Sequence, residues 1–278
     1  MMIQAIGAPF PTHFSSCSDK TPTQFQWTTS DQPIKVFIDG AIFQNFGYQK
    51  KPEEKKIAWI CESRSIFYAA YIPQIEWERH LKIVSEQYDI VFVSDRKYVG
   101  GFPNIKYAPA GSNLPWIKNQ GIFPKTKLTS MIASPKQITF GQELRHRFAE
   151  KYKTKIDLYG GVLGSKRLNG DIMWGDKSEG LNDYMFSLTL ENDKYTTYYT
   201  EKITDCFATG TIPVYWGSPD IGDYFNKDGI IEIISTFDIE TLTSDLYYSK
   251  LDAVKDNFER VKKLQSSDDK LYELIHEH

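Results

Sequence analysis

The sequence predicts an α/β protein with two Rossmann-like domains, and three observations carry that prediction. Short apolar runs of strand length, among them Ile34 to Ile38, Lys56 to Cys61 and Ile90 to Val93, alternate with segments of helical spacing. Ile90 to Val93 is apolar throughout and Lys56 to Cys61 is so after its first residue, as in parallel strands covered on both faces. A stretch rich in Gly, Pro and Asn, Gly111 to Lys127, interrupts the alternation before it resumes at Leu128, as a linker between domains does.

Taken in order, Met1 to Ser30 is rich in Ser, Thr, Pro and Gln and reads as an irregular arm with one short strand at Met2 to Ile6. Ile34 to Ile38 and Lys56 to Cys61 are strands, and Glu62-Ser63-Arg64-Ser65 follows the second at its carboxyl end. Pro73 to Gln87 places Ile75, Leu81, Ile83 and Val84 at helical spacing, and strands follow at Ile90 to Val93 and Lys106 to Ala110. Beyond the linker, with Trp116-Ile117 as its apolar anchor, come a strand at Leu128 to Ala133, a helix at Gln142 to Tyr152 and a strand at Ile156 to Tyr159. Leu163 to Ser178 has no period and reads as a surface loop. Tyr184 to Leu190, a short helix stopped by Gly210, and Thr211 to Trp216 form a strand, helix, strand unit. Gly229 to Ile234 is a further strand, and Ile239 to His278 is helical in pattern. The expected domains are residues 1–120 and 121–245, with a helical segment at 246–278.

A formal net charge of -3 gives no electrostatic reason to expect nucleic acid as a partner. Cys17, Cys61 and Cys206 are odd in number and lack metal-ligand spacing, so they read as reduced thiols. No window reaches the roughly 18 apolar residues of a membrane span, and no secretory signal is evident. The expectation is a soluble cytoplasmic protein without integral membrane contact.

Ligands of open parallel sheets bind outside the carboxyl ends of the strands, and the junction after Leu190 is dense in polar groups: Glu191, Asn192, Tyr198, Glu201 and Lys202. Thr200-Glu201-Lys202 opens a helix, where backbone N–H groups add to a lysine charge at a phosphate. Glu201 is suited either to accept hydrogen bonds from ribose hydroxyls or simply to complement the helix dipole. Arg145, on the helix after strand Leu128 to Ala133, offers a guanidinium that can pair with a diphosphate or face solvent. Glu62, at a strand end in the first domain, is a candidate general base or an ordinary loop residue. Tyr215 and Trp216 read as packing residues, whereas Tyr198 lies in a loop with no period to bury it. The sequence carries no phosphate loop, no Gly-x-Gly-x-x-Gly after a strand, no Gly-x-Ser-x-Gly and no zinc-spaced histidines. Asp-x-Asp is also absent, so cationic side chains would do the work of a metal.

The run Glu191-Asn192, then Tyr198-Tyr199-Thr200-Glu201-Lys202, then Gly210-Thr211-Ile212-Pro213-Val214-Tyr215-Trp216-Gly217-Ser218-Pro219 resembles the donor-binding signature of the α1,3/4-fucosyltransferases, glycosyltransferase family 10. Ser134 to Phe148 followed by Ile156-Asp157-Leu158-Tyr159-Gly160 resembles the family's Arg-bearing helix and the strand after it, although Ser134-Pro135 stands where members often carry Ser-Asn. The resemblance implies a GT-B-like fold, two Rossmann-like domains facing a cleft, and inverting transfer of fucose from GDP-fucose to a hydroxyl of an acceptor glycan, with no obligatory metal or other cofactor. It assigns Arg145 and Lys202 to the donor diphosphate, Glu201 to the ribose, Asn192 and Tyr198 to the walls of the donor site, and Glu62 to the base. The chain looks most like soluble bacterial or viral members. A transferase using another nucleotide sugar such as GDP-mannose, and a non-catalytic nucleotide-sugar or glycan-binding module, are the alternatives.

Overall fold

The computed structural model describes residues 1–7, 21–70, 77–168 and 177–277. The chain divides into two compact units, Met1–Asn113 with Gln265–His278, and Leu114–Leu264.

The first unit is built on a six-stranded parallel sheet of β1 (Met2–Ile6), β2 (Gln26–Thr28), β3 (Ile34–Ile38), β4 (Lys55–Ile60), β5 (Ile90–Val93) and β6 (Ile105–Tyr107), in the order β2-β1-β3-β4-β5-β6. β5, apolar throughout, is buried at every position; β4 is buried at all but its first, including Lys56, whose ammonium donates to the Asn45 and Tyr48 carbonyls. Ile57 of β4 lies opposite Val36 on one side and Ile90 on the other, so the central register is set by branched residues. Helices α1 (Gly40–Gln44), α2 (Arg64–Ala70) and α3 (Trp77–Gln87) supply Ile42, Phe67, Trp77, Leu81 and Val84 to one core with Phe37, Ala58 and Val91. The arm expected to be irregular contributes a second strand, β2. Phe25 and Trp27 are buried there, and the Trp27 indole donates to Asp268 Oδ1 at 2.7 Å; this contact spans the length of the chain, which local pattern does not report. Of the helix expected from Pro73, residues 73–76 lie outside the described residues, as does Cys17.

The second unit carries β7 (Lys127–Ile132), α4 (Phe140–Tyr152), β8 (Asp157–Tyr159), β9 (Tyr184–Leu190), α5 (Glu201–Thr209), β10 (Ile212–Trp216), β11 (Ile231–Glu232), α6 (Ser244–Ser249) and α7 (Leu251–Lys262). Its strands form a parallel sheet in the order β11-β10-β9-β7-β8. The chain moves outward from β7 to β8, crosses back to β9 on the other side of β7, and continues outward through β10 and β11. The carboxyl ends of β7 and β9 are therefore the topological switch point, where such sheets bind ligands. β9 is buried along its whole length. The strand expected at Gly229 to Ile234 shortens to Ile231–Glu232. The helical end resolves into α6, α7 and α8 (Ser267–His276), the last belonging to the first unit. Among the described residues no helix is long and apolar enough to cross a membrane.

Candidate functional site

The switch point in the second unit is shaped by the starts of α4 and α5. Thr139 caps α4, its hydroxyl accepting from the Gln142 N–H at 3.2 Å, and Thr200 caps α5. Gly141, in the first turn of α4, lies against the end of β9: a Cβ there would stand 2.0 Å from the Glu191 carbonyl oxygen. Only glycine permits that approach. At the far end of α5, Gly210 takes a left-handed φ of 71° and closes the helix, with Thr211 N–H donating to the Cys206 carbonyl at 2.9 Å.

Arg145 projects from the second turn of α4 to the end of β9. Its Nε donates to the Leu190 carbonyl and its Nη2 to Asn192 Oδ1, each at 2.8 Å. The guanidinium is buried, which lowers its pKa, while Glu191, Tyr198 and Glu201 favour the charged form. Two of its nitrogens are thus committed to fixing the β9 terminus, and Asn192 is held by Arg145 itself. Glu191 is fully buried and accepts from Thr200 N at 3.0 Å and Thr200 Oγ1 at 2.8 Å, so it ties the end of β9 to the cap of α5.

Lys202 is the most exposed of the charged groups in this cluster, with 24% of its side chain open to solvent. Its ammonium donates to Thr200 Oγ1 at 2.9 Å and lies 3.4 Å from both Glu191 Oε2 and Glu201 Oε1. Burial works against ionised Glu201, but Lys177 and then Lys202 override it and bring the carboxyl down to about 2. Tyr198 is buried and stacks on Tyr195 with ring centroids 4.8 Å apart. The absence of a period in its loop therefore did not mean exposure: the loop folds its aromatics onto one another. Tyr215 packs in the core as expected.

Arg145, Asn192, Tyr198, Glu201 and Lys202 are assembled in one neighbourhood of the second unit. Glu62 belongs to the first unit. It is exposed at the carboxyl end of β4, where its N–H donates to Asp39 Oδ1 at 3.2 Å beside the Cys61 N–H at 2.8 Å. Asp39 is half-buried and holds a φ of 48°, and burial together with the Glu62 charge pushes its carboxyl up to about 8.

Two charged residues went unread in the sequence. Lys177 lies in the stretch expected to be a surface loop, yet it is buried; residues 169–176 of that stretch are outside the described residues. Its ammonium sits 3.2 Å from Glu201 Oε1, 2.8 Å from Asp205 Oδ2 and 4.6 Å from the centre of the Trp116 ring. Asp205 is fully buried and accepts from the N–H groups of Trp116 and Ile117 at 2.6 and 3.2 Å. A signal existed for this pair: Asp205 falls between core positions of α5, and a buried acid requires a cation from elsewhere. Nothing in the sequence says which cation. Among the described residues no cluster of His, Cys, Asp or Glu is arranged to hold a metal ion.

Residues 122–264, just over half of the 278-residue chain, match the model of the glycosyltransferase family 10 (fucosyltransferase) C-terminal domain. Over 58 residues the chain is 41% identical to an α-(1,3)-fucosyltransferase of Helicobacter pylori, covering 21% of this chain and 12% of that protein. It is 33% identical over 99 residues to a putative fucosyltransferase-like protein of Arabidopsis thaliana, covering 35% and 18%. The matched segments thus span less than a fifth of either relative's length. A crystal structure of an α1,3-fucosyltransferase aligns with 93% of this chain and 80% of its own at a TM-score of 0.54 and 15% identity. The transferase TarM aligns with 87% of this chain and 54% of its own at 0.54 and 13%. These likenesses place the two parallel-sheet units in the GT-B fold class. With the family model matching residues 122–264, the chain belongs to glycosyltransferase family 10.

Proposed function

We propose that this chain transfers fucose from GDP-fucose to a hydroxyl of an acceptor glycan, with inversion at the anomeric carbon and without an obligatory metal. The observation that carries the reading is the grouping of Arg145, Lys202 and the capped start of α5 at the β7/β9 switch point, within residues 122–264. Leaving-group charge on GDP would meet the Lys202 ammonium, the helix N-terminus and the Arg145 donors that Leu190 and Asn192 leave uncommitted. Preorganised donors of this kind contribute about 3 to 4 kcal/mol each. Glu201 serves the ribose, Asn192 and Tyr198 shape the wall, and Glu62, by its motif, takes the proton of the acceptor hydroxyl as the new glycosidic bond forms and the bond to GDP breaks. A crystal structure of an α1,3-fucosyltransferase with GDP, similar in fold at a TM-score of 0.51, supports the nucleotide.

The test is transfer from GDP-fucose to a panel of oligosaccharides, with the anomer of the product read by NMR and the reaction repeated in chelator. Inversion from the β-linked donor gives an α-fucoside. A β-fucoside, or transfer from GDP-mannose or a UDP-sugar in place of GDP-fucose, overturns the mechanism or the donor respectively. Glu62→Gln should keep GDP affinity and lose transfer, and full activity in that variant removes Glu62 as the base.

A further inference from the structure

Around the start of α5 three carboxylates, Glu191, Glu201 and Asp205, meet three cations, Arg145, Lys177 and Lys202. The cluster is balanced before any ligand arrives. On the reading that Lys202 holds a diphosphate, that balance would be upset, because the most exposed of the cations would leave Glu191 and Glu201 for the phosphates. Glu191 keeps its two hydrogen bonds from Thr200. Among the described residues, Glu201 is left with Lys177 as its only close cation and a hydrogen bond from the Thr200 side chain.

We propose that Lys177 is a positioning residue of the donor site, the standing counter-ion that keeps the Glu201 carboxylate fixed and ionised for the ribose hydroxyls once Lys202 has turned to the diphosphate. The inference rests on the reading of Glu201 as the ribose acceptor and goes beyond it. The geometry separates the tasks of the two lysines. Lys177 is buried, and Asp205 Oδ2 and the Trp116 ring hold its ammonium from behind. Glu201 and Asp205 are four residues apart, hence on one face of α5, so a single ammonium bridges both. Asp205 Oδ1 is in turn fixed by the Trp116 and Ile117 amides, and Lys177 therefore has no freedom to follow a ligand as Lys202 has. A buried carboxylate deprived of its cation is strongly penalised. Without Lys177, Glu201 would either hold Lys202 back from the diphosphate or take up a proton, which removes one of the acceptor sites the hydroxyls need.

The readout is the contribution of the ribose hydroxyls, measured by calorimetry as the ratio of affinities for GDP and 2′,3′-dideoxy-GDP. In the unaltered chain GDP should bind roughly tenfold to hundredfold more tightly, the scale of hydrogen bonds to a charged group. Lys177→Met should bring the ratio close to unity, and Lys177→Arg should restore part of it. A variant that merely loosens the fold weakens both ligands alike and leaves the ratio standing. If Lys177→Met does not fold, Lys177→Met/Asp205→Asn removes one charge of each sign and is held to the same ratio. A wild-type ratio in the folded Met variant overturns the role of Lys177 while leaving Glu201 its own. A ratio near unity in the unaltered chain, or an unchanged ratio in Glu201→Gln, instead removes the ribose reading of Glu201 and the inference with it.

Discussion

At the scale of single residues, the proposed reading makes binding of the diphosphate depend on Lys202 more than on Arg145. Arg145 spends Nε and Nη2 on Leu190 and Asn192, whereas the Lys202 ammonium touches only side chains of its own cluster. Lys202→Ala should lower turnover with GDP-fucose by about a hundredfold or more, and steady-state rates near those of the unaltered chain would remove it from the site. Asp39 gives a second prediction. Burial and Glu62 raise its carboxyl to about 8 from an ordinary value of 3.8. Between those values the folded chain retains a proton that the unfolded chain has lost, so this residue's contribution to stability falls as pH rises from about 4 to about 8. Asp39→Asn should gain in melting temperature relative to the unaltered chain across that range, most at pH 8; a difference independent of pH would mean that the carboxyl titrates normally. Glu201 and Lys202 were legible as charges at a helix start. Lys177 was not, because its stretch lacks any period and its partners are 24 and 28 residues away.

At the scale of elements, the site is set by how closely α4 and β9 approach. Gly141→Ala would press a methyl group against the Glu191 carbonyl. The start of α4 would have to retreat, and overpacking of this kind costs about 1–3 kcal/mol. Because Arg145 lies one turn farther along the same helix, both the melting temperature and GDP affinity should fall; an unchanged affinity would show that the site tolerates the shift. The long elements were legible because their signals are local. β3, β9 and α5 coincide with apolar runs and caps, and Gly210 closes α5 where it was expected to stop the helix, by taking a left-handed conformation. β2 was not, since three residues at a sheet edge carry no pattern, and its one buried side chain, Trp27, is held by a hydrogen bond to Asp268 of α8. β11 fell short of its apolar run for a related reason: only Val214 and Tyr215 of β10 pair with it.

At the scale of the whole molecule, the family match ends at residue 264, where the second unit also ends. The second unit was legible because a motif of fixed spacing runs through it, while the first, apart from Glu62, had to be read from periodicity. A ligand that binds only the folded chain stabilises it by mass action, about 2.7 kcal/mol at a hundredfold excess over Kd. With about 2–4 °C per kcal/mol for chains near this size, saturating GDP should raise the melting temperature by about 5–10 °C and UDP by far less. Equal shifts would speak against guanine recognition. The return of residues 265–278 to the first unit bears on a different question, the order of events on the ribosome. Asp268 and Asp269 bind Trp27 and Thr23, and Ser267 bonds Ala110 and Asn113. The second unit is one uninterrupted segment, complete as soon as residue 264 has emerged. The first gains the contacts of residues 265–277 only after the second has been synthesised, so it is completed later although most of it is translated earlier.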